Sequence, residues 1–281
     1  MTERNSGLDF REGMIKKRLK NVKRLLLVLS GKGGVGKSVV SATFAAMLAN
    51  SGFKVGLMDA DIYGPSSALL FAAHRLPAEG KEGLIPLSCD GVKIMSVDLF
   101  APGKPIPLTG SGARQVVLEL LALTDWGELD CLVVDMPPAT GDIMMSLTSL
   151  GRKGVAAVVV TMPDKLSTAI ARKVLQLLKS GRVPTVGVLG NMVGSPGSGR
   201  IANGAGPRNL AKEFEVPLLG LLHYDPGISR AVEKSDVKSL LSTGFAMELR
   251  RSMNSYMDGL QPGKVSRRTL ERRRGGSHPH R

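Results

Sequence analysis

Gly31-Lys32-Gly33-Gly34-Val35-Gly36-Lys37-Ser38 combines residue types and spacing that suit the capture of a polyphosphate. Glycines at this density let the main chain curl, so that successive N–H groups point inward at an anion. Lys37 at the far end is placed to reach the β- and γ-phosphates, and the Ser38 hydroxyl to ligate Mg²⁺. The pattern is G-x-x-x-x-G-K-[ST], and it lies where the mechanism needs it. An apolar run, residues 25–30, leads in, and an Ala- and Met-rich helical stretch, residues 37–50, leads out, its amino end adding partial positive charge. The segment therefore predicts a loop that binds ATP and supports its hydrolysis.

Two carboxylate stations lie downstream. Asp59-Ala60-Asp61 ends an apolar run over 53–58, and Leu132-Val133-Val134-Asp135 is an apolar run closed by an acid. In-line attack on a γ-phosphate needs a group that orients water. Asp61 is the candidate for that role and Asp59 for the magnesium shell. Asp135 is the candidate that holds Mg²⁺ through a water. A lone Asp at a strand end is usually a cap or turn former; placed together after the glycine loop, these three read as a site.

The elements that must position these groups are legible as short buried strands at 25–30, 53–58, 92–97, 131–135, 155–161, 185–189 and 216–222, with helical segments at 37–50, 165–179 and 208–214 and a closing helix over 236–260. Strands alternating with helices predict an α/β fold, a mainly parallel β-sheet with helices on both faces. In such folds ligands gather at the carboxyl ends of the strands, where the loop and both acidic stations fall.

Of the 281 residues 43% are apolar and only 4% aromatic, so the core must be built from Ala, Val, Leu, Ile and Met. No apolar stretch approaches the ~20 residues of a bilayer span, and a charged amino end without a signal-type apolar region predicts a cytoplasmic protein. Two distant cysteines, Cys89 and Cys131, imply no disulfide framework. The net charge of +14 sits at the ends: +5 in residues 1–24 and +6 in residues 264–281. The chain thus divides into a basic N-terminal segment 1–23, an ATPase domain 24–260 and a basic tail 261–281 too polar to order itself. Leu8, Met14, Ile15, Leu19 and Val22 recur at roughly helical spacing among lysines. That helix either packs across the domain or lies on a membrane or acidic partner. The arginine-rich tail could meet nucleic-acid phosphates or stay solvated.

Lys32 gives the loop the form K-G-G-x-G-K-[ST], the deviant Walker A loop, which resembles that of the ParA/MinD/NifH ATPases; the resemblance implies that Lys32 reaches across a dimer interface to the partner's nucleotide. The runs Ser-Gly-Lys-Gly-Gly-Val-Gly-Lys-Ser at 30–38, Val-Gly-Leu-Met-Asp-Ala-Asp-Ile-Tyr-Gly-Pro-Ser at 55–66 and Trp-Gly-Glu-Leu-Asp at 126–130, with Thr140-Gly141-Asp142, Asn191-Met192 and Asp225-Pro226, resemble the Mrp/ApbC family of iron–sulfur cluster carriers, from about residue 22 to 240. That resemblance implies a homodimer, Asn191 near the adenine, client apoproteins that receive clusters, and a bridging [4Fe–4S] cluster held by a C-x-x-C pair from each subunit. The pair is missing: the corresponding stretch is Val193-Gly194-Ser195-Pro196-Gly197-Ser198-Gly199, with Ser195 and Ser198 where cysteines are expected. Clusters are held by thiolates, and serine is not ionised near neutral pH. Val39 at a common Thr and Ala139 at a common Gly predict slow hydrolysis. Two readings follow: an ATP-gated carrier of iron–sulfur clusters, or a clusterless ParA/MinD-like switch that recruits a partner or binds nucleic acid.

Overall fold

A computed structural model of the chain describes residues 3–104, 110–138, 141–149, 154–194 and 203–260. In chain order these form α1 (Glu3–Leu19), β1 (Val22–Ser30), α2 (Lys37–Asn50), β2 (Val55–Asp59), α3 (Ser67–Leu70), β3 (Ala78–Glu79), β4 (Leu84–Ile85), β5 (Leu87–Cys89), β6 (Val92–Ser96), α4 (Gly110–Leu123), β7 (Leu129–Asp135), α5 (Gly141–Ser149), β8 (Val155–Thr161), α6 (Lys165–Ser180), β9 (Thr185–Val193), α7 (Ala205–Glu213), β10 (Leu218–His223), α8 (Pro226–Glu233), α9 (Val237–Leu241) and α10 (Gly244–Asp258).

One sheet runs β10-β9-β8-β1-β7-β2-β6-β5. Every pairing in it is parallel except β5 against β6. The last six residues of β1 are buried in succession, as a parallel strand covered on both faces requires. One layer holds α2, α9 and α10 in mutual contact; the other is built by the pairs α1–α4, α4–α5 and α6–α7. Trp126, Phe44 and Phe245 are the large aromatics fully buried among Leu, Val, Ile and Met.

Register does the positioning. Val28 of β1 pairs with Asp135 of β7, and Asp135 pairs with Asp59 of β2. The two strand-end acids therefore stand side by side, about 4.8 Å apart along the hydrogen-bonding direction. A one-residue slip would send one of them to the opposite face.

Several elements differ from the sequence expectation. The strand expected at 185–189 continues to Val193 and carries Asn191 into the sheet. The closing helix expected over 236–260 is two helices, because two caps start it twice: Asp236 accepts from the amides of Lys238 and Ser239, and the Thr243 hydroxyl accepts from the amide of Ala246. Helix α4 was hidden behind Gly110-Ser111-Gly112, and α5 and β5 by their shortness. Residues 261–281, Ala139, Thr140, Ser195 and Ser198 lie outside the described residues, as does the side chain of Leu8.

The basic amino-terminal helix packs across the domain. Ile15 and Leu19 are buried and Met14 lies against the core, while Arg18 donates to the Ala122 carbonyl at 3.2 Å and pairs with Glu82. Among the described residues no helix is long and apolar enough to cross a membrane. Leu19→Ala should lower global stability by about 2–5 kcal/mol, read as a shifted urea midpoint; an unchanged midpoint would mean that α1 is not part of the cooperative core.

Candidate nucleotide-binding site

The glycine loop joins β1 to α2, at the strand whose neighbours are β7 on one side and β8 on the other. Its backbone is held in the curl by contacts from below. Gly34 and Gly36 take left-handed angles, φ +77° and +82°, which residues with a Cβ adopt only under strain. A Cβ on Gly31 would sit 2.7 Å from the backbone of Ile170 and Ala171, so α6 is pressed directly against the loop's entrance. The Val35 side chain is buried, anchoring the loop from beneath. A Cβ on Gly33 or Gly34 would meet nothing, so the opposite side of the curl is open.

Asn191 is the second anchor. Its Nδ2 donates to the Val35 carbonyl at 2.8 Å, and a Cβ on Gly36 would come within 2.4 Å of that nitrogen. In this structure the residue expected near the adenine braces the loop. Ser30 adds a third support, its hydroxyl donating to the Lys32 carbonyl at 3.0 Å.

At the first turn of α2 the side chain of Lys37 turns inward. Its ammonium is 2.7 Å from Asp135 Oδ1, with Lys37 6% exposed and Asp135 wholly buried. The Ser41 hydroxyl is 2.9 Å from the same oxygen, whereas Asp135 Oδ2 is buried with no protein partner. Asp59, also wholly buried, accepts the amide of Asp61 at Oδ1 and those of Ser66 and Ser67 at Oδ2. Burial first, and then the charge of Asp135 beside it, push its carboxyl up to about 7. The backbone bonds and Lys37 pull the other way without prevailing.

Asp61 is partly exposed, and its Oδ1 accepts the Gly64 amide at 3.2 Å. Ser38 is half-buried in the first turn of α2. Lys32 lies near Asp164, the cap of α6. Partial burial works against ionisation of Asp164, yet bonds from the Ser167 hydroxyl and amide, with Lys32 nearby, hold it below the usual carboxylate range.

Lys37, Asp135 and Asp59 are thus brought together, with Asn191 and Lys32 at the loop. Sequence reasoning missed Ser41 and Asp164. The signal for Ser41 was its position four residues after Lys37, on the same helix face. For Asp164 it was the spacing Asp164-Lys165-Leu166-Ser167 at a helix start. Among the described residues no three His, Cys, Asp or Glu side chains form a cluster able to hold a metal ion unaided. The donors suit Mg²⁺, which takes one or two carboxylates and fills its shell with water and phosphate oxygens; the unpartnered Asp135 Oδ2 is a hard oxygen in want of a partner.

Two of the other sequence motifs make structural contacts among the described residues. Trp126 is buried, while Glu128 and Asp130 pair with Lys54 and Lys23. Asp225 caps α8 and accepts the Phe245 amide from α10. Cys131 is buried in β7, where burial pushes its thiol up to about 12. Burial and Asp90 also raise the thiol of Cys89 on edge strand β5. Cys131 pairs with Val55, Val55 with Val92 and Val92 with Cys89, three strand spacings or roughly 14 Å. Cys131 lies near the amino-terminal end of β7 and Cys89, at the end of β5, is level with the start of β6, so both thiols are on the edge of the sheet away from the loop.

Residues 21–257 match the ParA sequence family described as NUBPL iron-transfer P-loop NTPase. An iron–sulfur cluster carrier protein of Rickettsia typhi is 36% identical over 219 residues, 77% of this chain; the chain spans 66% of that relative's length. One of Methanocaldococcus jannaschii is 31% identical over 266 residues, with 90% of each chain covered. Among solved structures, a nucleotide-binding protein of Archaeoglobus fulgidus in complex with ADP superposes with a TM-score of 0.70 at 29% identity, over 84% of this chain and 96% of that one. The cell division ATPase MinD of Pyrococcus furiosus gives 0.63 at 19% identity, over 84% and 99%, and shares the fold.

A carboxyl raised to about 7 from 3.8 binds its proton more tightly in the folded chain than in the unfolded one. Its contribution to stability is complete below about pH 4 and lost as the pH rises through about 7. Asp59→Asn cannot ionise, so the melting temperature of the nucleotide-free variant should gain on wild type between about pH 5 and pH 8. A difference that stays constant with pH would mean that Asp59 is ionised throughout.

Proposed function

Because the chain belongs to the ParA family of NUBPL iron-transfer P-loop NTPases, we propose that it is an ATP-binding, ATP-hydrolysing, nucleotide-gated dimer that serves the handling of iron–sulfur clusters. The observation that carries the ATPase reading is the curled loop with Lys37 seated on Asp135 beside Asp59. A lysine buried against a strand-end acid, at the foot of a loop whose Gly33 and Gly34 face open space, is arranged to receive a polyphosphate and to hand the acid over to a metal.

In this reading the amides of residues 31–38 cradle the phosphates, and Lys37 exchanges Asp135 for their oxygens. The exchange conserves charge pairing, which a buried ammonium requires. Ser38, Asp59 and Asp135 are the residues that would hold Mg²⁺, which when bound offsets charge on the phosphates. Asp61 orients the attacking water. Lys32 of one protomer reaches the nucleotide of its partner; in the single chain its charge acts on Asp164 nearby. Asn191 braces the loop and contacts the adenine.

The cargo is a separate matter. The matched relatives are named as iron–sulfur cluster carriers, and a cluster needs thiolates. Neither described thiol suits one: Cys131 is sealed in the core, and Cys89 stands alone on an edge strand. That observation favours a second reading, in which the same ATPase works as a clusterless switch whose dimer recruits a client protein or, through its basic ends, nucleic acid.

Lys37→Ala should abolish ATP binding in a filter or calorimetric assay, and unchanged affinity would remove the phosphate-loop assignment. Asp61→Ala should retain binding while turnover falls about 10²–10⁴-fold; undiminished hydrolysis would clear Asp61 of the water-orienting role. Anaerobic reconstitution with iron and sulfide separates the two cargo readings. Bound iron near four per dimer with the matching absorbance supports carriage, and no bound iron supports the switch.

A further inference from the structure

We infer that Ser41 is the positioning residue that holds Asp135 in place once Lys37 has moved to the phosphates; this rests on the reading of Asp135 as a magnesium-shell carboxylate. Three groups meet at one oxygen. Asp135 Oδ1 is 2.7 Å from Lys37 Nζ and 2.9 Å from Ser41 Oγ, and Oδ2 has no protein partner. Ser41 and Asp135 are both fully buried.

The Ser41 hydroxyl has one proton to give and two acceptors in reach, Asp135 Oδ1 and the Lys37 carbonyl at 3.0 Å. That carbonyl already faces the helical N–H of residue 41 four positions on, and an ionised carboxylate is the stronger acceptor. The proton therefore goes to Asp135.

The contact matters because the other one is temporary. A carboxylate rotates freely about its last torsion, and with only Lys37 on Oδ1 it would lose its orientation when the ammonium departs for a nucleotide. Ser41 sits one helical turn after Lys37 on α2, and its hydroxyl stays within reach of Asp135 when the ammonium leaves. It keeps Oδ1 engaged and leaves Oδ2 as the open acceptor. In the chain without nucleotide, Lys37 and Ser41 share the oxygen; in the loaded state Ser41 holds it alone. Removing the hydroxyl would leave a buried carboxylate one charge-assisted hydrogen bond short at the moment it must hold a metal-bound water.

The test follows binding of the fluorescent analogue mant-ATP to the full chain in EDTA and across a magnesium titration. Ser41→Ala should keep the affinity in EDTA within about twofold, while the magnesium concentration for half-maximal tightening rises about tenfold, the worth of one hydrogen bond to a charged acceptor. Ser41→Thr, which keeps the hydroxyl, should titrate like wild type. A Ser41→Ala curve that overlays wild type would overturn the proposal, as would a Ser41→Thr variant as impaired as Ser41→Ala, since packing alone would then explain both. If Ser41→Ala melts too low to assay, Ser41→Cys keeps the volume with a weak donor and should show the same shift in magnesium dependence; a wild-type curve from it would likewise overturn the proposal. A wild-type protein whose mant-ATP affinity ignores magnesium would instead bring down the magnesium reading itself.

Discussion

An ammonium buried to 6% exposure beside a wholly buried carboxylate is tolerable only while the two stay paired. Much of the carboxyl edge of the sheet serves that condition. The register of β1, β7 and β2 sets Asp135 level with Val28 on one side and Asp59 on the other. Helix α2 begins at Lys37, so its first turn faces Asp135. Burial and the neighbouring Asp135 raise the Asp59 carboxyl to about 7, so the two acids resist being charged together beside Lys37. In the proposed reading a nucleotide enters by offering Lys37 a better anion, and the freed acid then needs a cation.

The loop itself is shaped by absence. Gly31 lets α6 approach to a distance no side chain permits, Gly36 leaves room for Asn191, and Gly34 and Gly36 adopt left-handed angles. Each support comes from a different part of the chain: α6, β9 and the end of β1. The curl therefore depends on the assembled fold as well as on the local glycines, with α6 packed closely against Gly31.

Groups tied to strand ends were readable beforehand. Apolar runs closed by an acid located Asp59 and Asp135, and the glycine spacing located Lys37, because these depend on period and local chemistry alone. Contacts made across the fold were not readable. Nothing in the neighbourhood of Asn191 announces its bond to the Val35 carbonyl, 156 residues away, and the partnership of Ser41 with Asp135 appears only when α2 lies over β7. The raised carboxyl of Asp59 depends on burial and a neighbour that no periodicity reveals. The break between α9 and α10 was missed because apolar positions on both sides kept a helical rhythm through the caps. The family resemblance was carried partly by structural residues, Trp126 and Asp225 among them, so the sequence can match iron–sulfur cluster carriers while neither described cysteine stands where a cluster could form.

The measurement closest to the centre of all this is calorimetric titration of the wild-type chain with ATP, ADP and AMP in the presence of magnesium. If the curled main chain and Lys37 hold the polyphosphate, ATP and ADP bind once per protomer and AMP binds at least about a hundredfold more weakly, having no β-phosphate to draw Lys37 from Asp135. AMP binding as tightly as ATP, or no saturable binding of any of the three, would contradict it.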